Sequence, residues 1–168
     1  MFALVRNTTY GVDLHNVFGK LYDWEKLEWK MNSPEMRVKL NIPDNVTWNS
    51  QGKTVFKMLA NDFLTPVTRE VEFLLTETNL KVVVYTGSFD VIVTMIVTEK
   101  WIDSLTWTGK QGFRNMKKQL IAKTADDFPL VYLKEYETLS LFFMLGAGHS
   151  VSADQIDASV SMLKRVIA

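Results

Sequence analysis

Residues 80–90 read LKVVVYTGSFD, and the fold class turns on how they are taken. Val82 to Tyr85 are β-branched or aromatic and show no polar alternation, the composition of a strand buried on both faces of a parallel sheet. The run ends in Thr86-Gly87-Ser88-Phe89-Asp90, where glycine lets the backbone turn sharply and leaves room beside the next side chain. Residues 138–155, TLSLFFMLGAGHSVSADQ, repeat the pattern. An apolar strand from Thr138 to Leu145 stops at Gly146-Ala147-Gly148, presents His149 and turns polar.

The flanking segments have helical spacing. In PVTREVEFLLTETN (66–79), Val67, Val71 and Leu74 or Leu75 share one face, with charge opposite. A helix is expected from Thr94 to Trp101, followed by the loop SLTWTGKQGF (104–113). Ile156, Val160, Leu163 and Ile167 space a final helix, and Ser152 with Gln155 predicts a capping box at its start. Helix, strand, helix, strand, helix argues an α/β layered domain. The first sixty residues are dense in Trp, Lys, Glu and Asn and predict irregular helical structure. Their clearest helix is MNSPEMRVKLNI (31–42), with Ser33 as cap and Pro34 at the first helical position.

At 168 residues, 47% hydrophobic and 23% charged, the chain can bury a core. Its 19 basic and 19 acidic residues cancel, so no basic face for nucleic acid or anionic lipid is expected. No apolar run has membrane-spanning length, and the N-terminus lacks the pattern of a signal peptide. Zero cysteines exclude disulfides, zinc-thiolate sites and cysteine nucleophiles. Two N-x-T sequons, at Asn7 and Asn45, are candidate glycosylation sites in a secretory chain.

In open α/β sheets, catalytic groups collect outside the carboxyl ends of the strands. Asp90 after one strand and His149 after the next make the lower half of a Ser-His-Asp triad, in which the acid orients the imidazole and the imidazole takes the nucleophile's proton. The chain order, acid before histidine, is that of α/β-hydrolases. Two plainer readings stand beside it: Asp90 as a turn or helix-cap residue, and His149 as a loop histidine. No G-x-S-x-G elbow, phosphate-binding glycine loop or H-E-x-x-H motif occurs. His15 stands far from any carboxylate pair in sequence, so no metal or cofactor is expected.

Several blocks resemble the C-terminal part of the serine carboxypeptidases. VVVYTGSFDVIV, WIDSLTWTGKQGF and GAGHSVSADQ are similar to that family's Y-x-G-x-x-D, W-x-x-x-L-x-W-x-G and G-H-x-V-P-x-D-Q blocks, and MNSPEMRVKLNIP and NDFLTPV to two earlier ones. They stand in the family's order along nearly the whole chain, nearest to its retinoid-inducible branch. The resemblance implies the C-terminal portion of an α/β-hydrolase fold, with part of a helical cap and its connecting loop over residues 1–60 and core over 61–168. It implies an enzyme that removes C-terminal residues from peptides, secreted or lysosomal, with Asp90 as triad acid and His149 as base.

Ser150 holds a place where relatives often carry methionine facing the leaving residue, which makes it a candidate substrate contact. Ser152 and Ala153 replace the usual proline and serine of that loop. The family's G-E-S-Y-A-G nucleophile block is absent, so the partners expected are a peptide substrate and an N-terminal remainder carrying the serine. An inactive paralogue binding peptide or protein through the same surface is the alternative.

Overall fold

The structure, a computed structural model, describes residues 12–19, 24–50, 52–63, 65–123 and 129–168. Two compact units divide the chain. The described residues within 1–20 join 67–168 in one, and those within 21–66 form the other, so 12–19 group with the sheet although the boundary expected from sequence lies at 60.

The smaller unit holds α1 (Trp24–Met31), α2 (Pro34–Lys39), α3 (Lys53–Met58) and α4 (Ala60–Phe63). As expected, the Ser33 hydroxyl accepts the Met36 N–H and Pro34 opens α2. Side chains tie the following loop back onto these helices. The Asn32 amide donates to the Trp48 carbonyl and accepts the Trp48 N–H, both at 2.8 Å, and Arg37 donates to the carbonyls of Pro43 and Val46. Glu28 Oε1 accepts the Ser50 hydroxyl at 2.7 Å and the Ser50 N–H at 2.8 Å. The hydroxyl first and the amide second hold the Glu28 carboxyl below the ordinary glutamate value.

The larger unit contains α5 (Thr68–Glu77), β1 (Val82–Gly87), α6 (Met95–Ser104), α7 (Lys110–Asn115), β2 (Gln119–Lys123), β3 (Pro129–Tyr136), β4 (Leu139–Met144), α8 (Val151–Asp154) and α9 (Ile156–Ile167). One sheet runs β1-β4-β3-β2. β1 and β4 are parallel, Val82 opposite Leu139 through Gly87 opposite Met144, while β3 is antiparallel to both β4 and β2. The fold is α/β as expected, with a mixed sheet.

β4 is its centre. Leu139, Leu141 and Phe143 enter one cluster with Leu75, Ile102, Leu105, Trp107 and Phe113; Phe142 and Met144 enter a second with Val131, Leu133, Ala147, Val151 and Ala158. Two covered faces demand an apolar strand, which β4 is at every position but the half-buried Ser140, and the reading of Thr138–Leu145 holds for that reason. β1 departs from the same reading. Among the described residues it has a neighbour strand on one side only, and Val82 to Val84 are half-buried and Tyr85 exposed.

Three further expectations are corrected. The antiparallel pairing of β2 with β3 was not foreseen, and α7 begins inside the stretch taken as loop. The helix 156–167 forms but turns its other face inward. Ala158, Met162 and Val166 meet the sheet, while Ile156, Val160, Leu163 and Ile167 are exposed. The capping box is absent: Ser152 lies inside α8, and Gln155 caps α9 with no side-chain hydrogen bond.

Leu141→Ala removes a fully buried side chain from the central strand; it should lower the unfolding free energy by about 2–5 kcal/mol in a denaturant titration. The Glu28 tie gives a pH dependence. With the folded value depressed, its stabilisation is present above the ordinary glutamate value and disappears as pH falls through the lower folded one. The Ser50 amide resonance should titrate over that acidic range, and Glu28→Gln should abolish the change.

Candidate active site

Both strands of the parallel pair deliver their carboxyl ends to one place. β1 continues into Ser88-Phe89-Asp90, and three contacts knit this turn to the one after β4. The Ser88 N–H donates to the Met144 carbonyl at 3.0 Å, the Phe89 N–H to the Ala147 carbonyl at 2.7 Å, and the Gly146 N–H to Ser88 Oγ at 2.9 Å. Glycine is obligatory at two points. A Cβ on Gly87 would strike the carbonyls of Ala147 and Gly148, and Gly146 sits at φ +75°.

The Asp90 side chain is 6% exposed and uses both oxygens. Oδ1 accepts the N–H groups of Ile92 at 2.8 Å and Val93 at 3.0 Å, closing the turn beyond the strand. Oδ2 lies 2.7 Å from His149 Nδ1. The turn-forming role and the histidine-partner role therefore coexist on one carboxylate, one oxygen each. A carboxylate oxygen only accepts, so Nδ1 carries the hydrogen and the neutral ring keeps its Nε2 lone pair free. His149 is 45% exposed, so solvent and ligand can reach that ring. Beside the pair is a cleft of about 150 Å³ lined by Tyr85, Thr86, Val93, Thr98 and Val151 among others. The Thr86 hydroxyl there is buried and has no hydrogen-bond partner among the described residues. Ser150 is exposed; its carbonyl accepts the N–H groups of Ala153 and Asp154.

A second layer comes from residues 13–19, which sequence reasoning left out of the site. The His149 N–H donates to the His15 carbonyl at 2.6 Å, the Val91 N–H to the Leu14 carbonyl and the Val17 N–H to the Phe89 carbonyl. Asp154 Oδ2 accepts from both the Gly148 N–H and Asn16 Nδ2, each at 2.8 Å. His15 is not remote from carboxylates: its Nδ1 is 2.8 Å from Asp13 Oδ1, and its ring packs edge-on against His149. Only the spacing Asp13-x-His15 hinted at this. Of the candidate glycosylation sites, Asn45 is exposed in a turn and Asn7 lies outside the described residues.

An Asp and a His joined at the carboxyl ends of adjacent parallel strands, flanked by helices, place the larger unit in the α/β-hydrolase class. The sequence pattern of the serine carboxypeptidase family matches residues 18–168, and the chain belongs to that family. It is 36% identical over 143 residues to the retinoid-inducible serine carboxypeptidase of Rattus norvegicus, covering 84% of this chain and 31% of that protein. It is 30% identical over 138 residues to serine carboxypeptidase-like 51 of Arabidopsis thaliana, covering 82% and 30%. A crystal structure of Kex1(delta)p, a prohormone-processing carboxypeptidase from Saccharomyces cerevisiae, superposes with a TM-score of 0.71 at 19% identity, over 92% of this chain and 36% of that one. The chain thus spans about a third of the length of these relatives.

Asp90→Ala should cost about 1–3 kcal/mol in unfolding free energy, because it strands two backbone N–H groups and an imidazole. Thr86→Val deletes a hydroxyl without a partner and should leave stability unchanged or raise it, as read by the same denaturant titration.

Proposed function

We propose that this chain carries the acid and the base of a serine carboxypeptidase, with the nucleophilic serine supplied by the N-terminal remainder of the enzyme. The observation that carries the reading is the 2.7 Å contact between Asp90 and His149 at neighbouring strand ends. Asp90 holds the imidazole in the tautomer with a bare Nε2. That nitrogen takes the proton of the incoming serine and returns it to the leaving amine, while Asp90 stabilises the imidazolium between the two steps. Asp90 is in turn fixed by its two backbone donors, so the base is oriented before substrate arrives.

Family membership supports a peptide as substrate, and the segment that follows His149 meets the leaving residue, with Ser150 on its wall. The smaller unit is the counterpart of part of the family's helical cap. Without the serine and its oxyanion donors, an Asp-His pair has little to polarise, so the chain alone is inactive. The open edge of β1 and the apolar stripe Ile156, Val160, Leu163 and Ile167 are surfaces for the remainder to cover. Secretion or lysosomal residence, with a glycan on exposed Asn45, fits the same reading.

The test is reconstitution. The chain is co-expressed with a serine-bearing N-terminal part and assayed with a blocked dipeptide at pH 5 and with a fluorophosphonate probe. Activity should appear only in the pair, and the probe should label only the added part. His149→Ala should lower kcat by on the order of 10⁶-fold and Asp90→Asn by about 10⁴-fold. Full activity in His149→Ala, or probe on this chain, would sink the assignment. Peptide binding without turnover would favour a non-catalytic module instead.

A further inference from the structure

The Asp90 contact fixes the His149 ring at Nδ1, but it does not fix the backbone that carries the ring. The imidazole is 45% exposed, and among the described residues Asp90 is its one side-chain hydrogen-bond partner. The main chain is placed by the His149 N–H, which donates to the His15 carbonyl at 2.6 Å. Both ends of that hydrogen bond depend on a single atom. Asp154 Oδ2 accepts the N–H of Gly148, the residue before the donor, and Nδ2 of Asn16, the residue after the acceptor, each at 2.8 Å.

The surroundings reinforce this clasp. Asn16 is 6% exposed, and its Oδ1 accepts the Phe18 N–H at 3.2 Å, which leaves Nδ2 facing the carboxylate. A Cβ on Gly148 would strike the His15 carbonyl and Asn16, so the segments meet this closely because residue 148 is glycine. Hydrogen bonds to an ionised oxygen are about twice as strong as neutral ones. Burial of Asn16 strengthens its share further by lowering the local dielectric.

We propose that Asp154 and Asn16 are positioning residues for His149. Their hydrogen bond holds residues 15–16 against the turn after β4 and so sets where the imidazole stands. They act through Gly148 and the His15 carbonyl, not through the ring itself.

The consequence for turnover rests on the catalytic reading. A base has to stand within hydrogen-bond reach of the proton it takes. A misplacement of about 1 Å, caused by a change away from the chemistry, costs on the order of 100-fold in rate. Loss of the clasp should therefore appear in kcat, with KM little changed. The chemistry also ranks the substitutions. Both partners of Asp154 Oδ2 are N–H donors, so position 154 needs an oxygen there. Asp154→Asn keeps one and Asp154→Ala does not.

The experiment is amide hydrogen exchange of the 168-residue chain, read by NMR at pH 7, on the intact protein and on Asn16→Ala, Asp154→Ala and Asp154→Asn. The His149 N–H should exchange slowly in the intact chain and about tenfold faster or more in both alanine variants. It should stay close to the intact rate in Asp154→Asn, while the Leu141 N–H in the central strand keeps its rate throughout. Equal His149 exchange in the intact chain and the alanine variants, or protection lost equally at His149 and Leu141, overturns the proposal. If Asp154→Ala does not fold, Asn16→Ala decides alone, since it leaves the bond from Gly148 to Asp154 in place. In the reconstituted enzyme the alanine variants should lower kcat about 100-fold with KM within about twofold, and Asp154→Asn should recover most of the loss. Unchanged kcat in both alanine variants overturns the positioning role. Exchange lost at His149 alone, with no turnover by the intact reconstituted pair, would leave the clasp standing and remove the catalytic reading.

Discussion

The parallel ladder between β1 and β4 is the constraint on which the rest of the larger unit depends. Parallel strands run in the same direction, so both carboxyl ends emerge on one edge of the sheet, and nearest neighbours deliver them side by side. Gly87 opposite Met144 fixes the register at that edge. Asp90 and His149 are 59 residues apart in sequence and in hydrogen-bond contact for that reason. The antiparallel strands β2 and β3 perform a different task. β3 pairs with the far edge of β4 and β2 with β3, while the two side-chain clusters enclose Phe142 and Met144 on one face and Leu141 and Phe143 on the other. A strand held on both faces and both edges is a rigid support for the turn that follows it.

That turn is immobilised by economy of atoms. Glycine at 87 and 148 lets three segments approach backbone to backbone: the end of β1, the turn after β4 and residues 15–16. Close approach then turns main-chain N–H groups into position holders, as in the donation from His149 to the His15 carbonyl. Only one carboxylate beyond Asp90 is needed, Asp154, and it holds Gly148 and Asn16 at once. The Asp90–His149 pair is thus oriented mainly by backbone, which side-chain substitution elsewhere changes least.

Much of this was legible in the sequence, and what was not has physical causes. The buried run Leu139–Met144 announced itself because two covered faces select apolar residues, here at every position but Ser140. Asp90 and His149 were found because glycines after apolar runs mark strand ends. The hairpin β3–β4 escaped notice because its turn is made by Glu137 in the left-handed region, at φ 51°, with no Asn-Gly or Asp-Gly to advertise it. In β3, Val131 and Leu133 are buried while Tyr132 and Lys134, which alternate with them, are only partly so, an alternation present in PLVYLKEY but diluted by its long polar and aromatic partners. The inward face of α9 was misread because its contacts are small or flexible, Ala158, Met162 and Val166, and the stronger apolar stripe is the outer one. His15 was invisible as a site residue, since nothing in local spacing reports a contact made through tertiary packing.

Asn16 and Asp154 are separated by 138 residues, which makes their hydrogen bond the longest loop that the site closes. The entropy of closing a loop grows with its length, and contacts of long sequence separation form late. The sheet can assemble from strands that follow one another within the last half of the chain. The clasp over His149 has to wait for the two extremities of this stretch of polypeptide to meet. On that ground the scaffold is expected to form first and the histidine to be locked into place last.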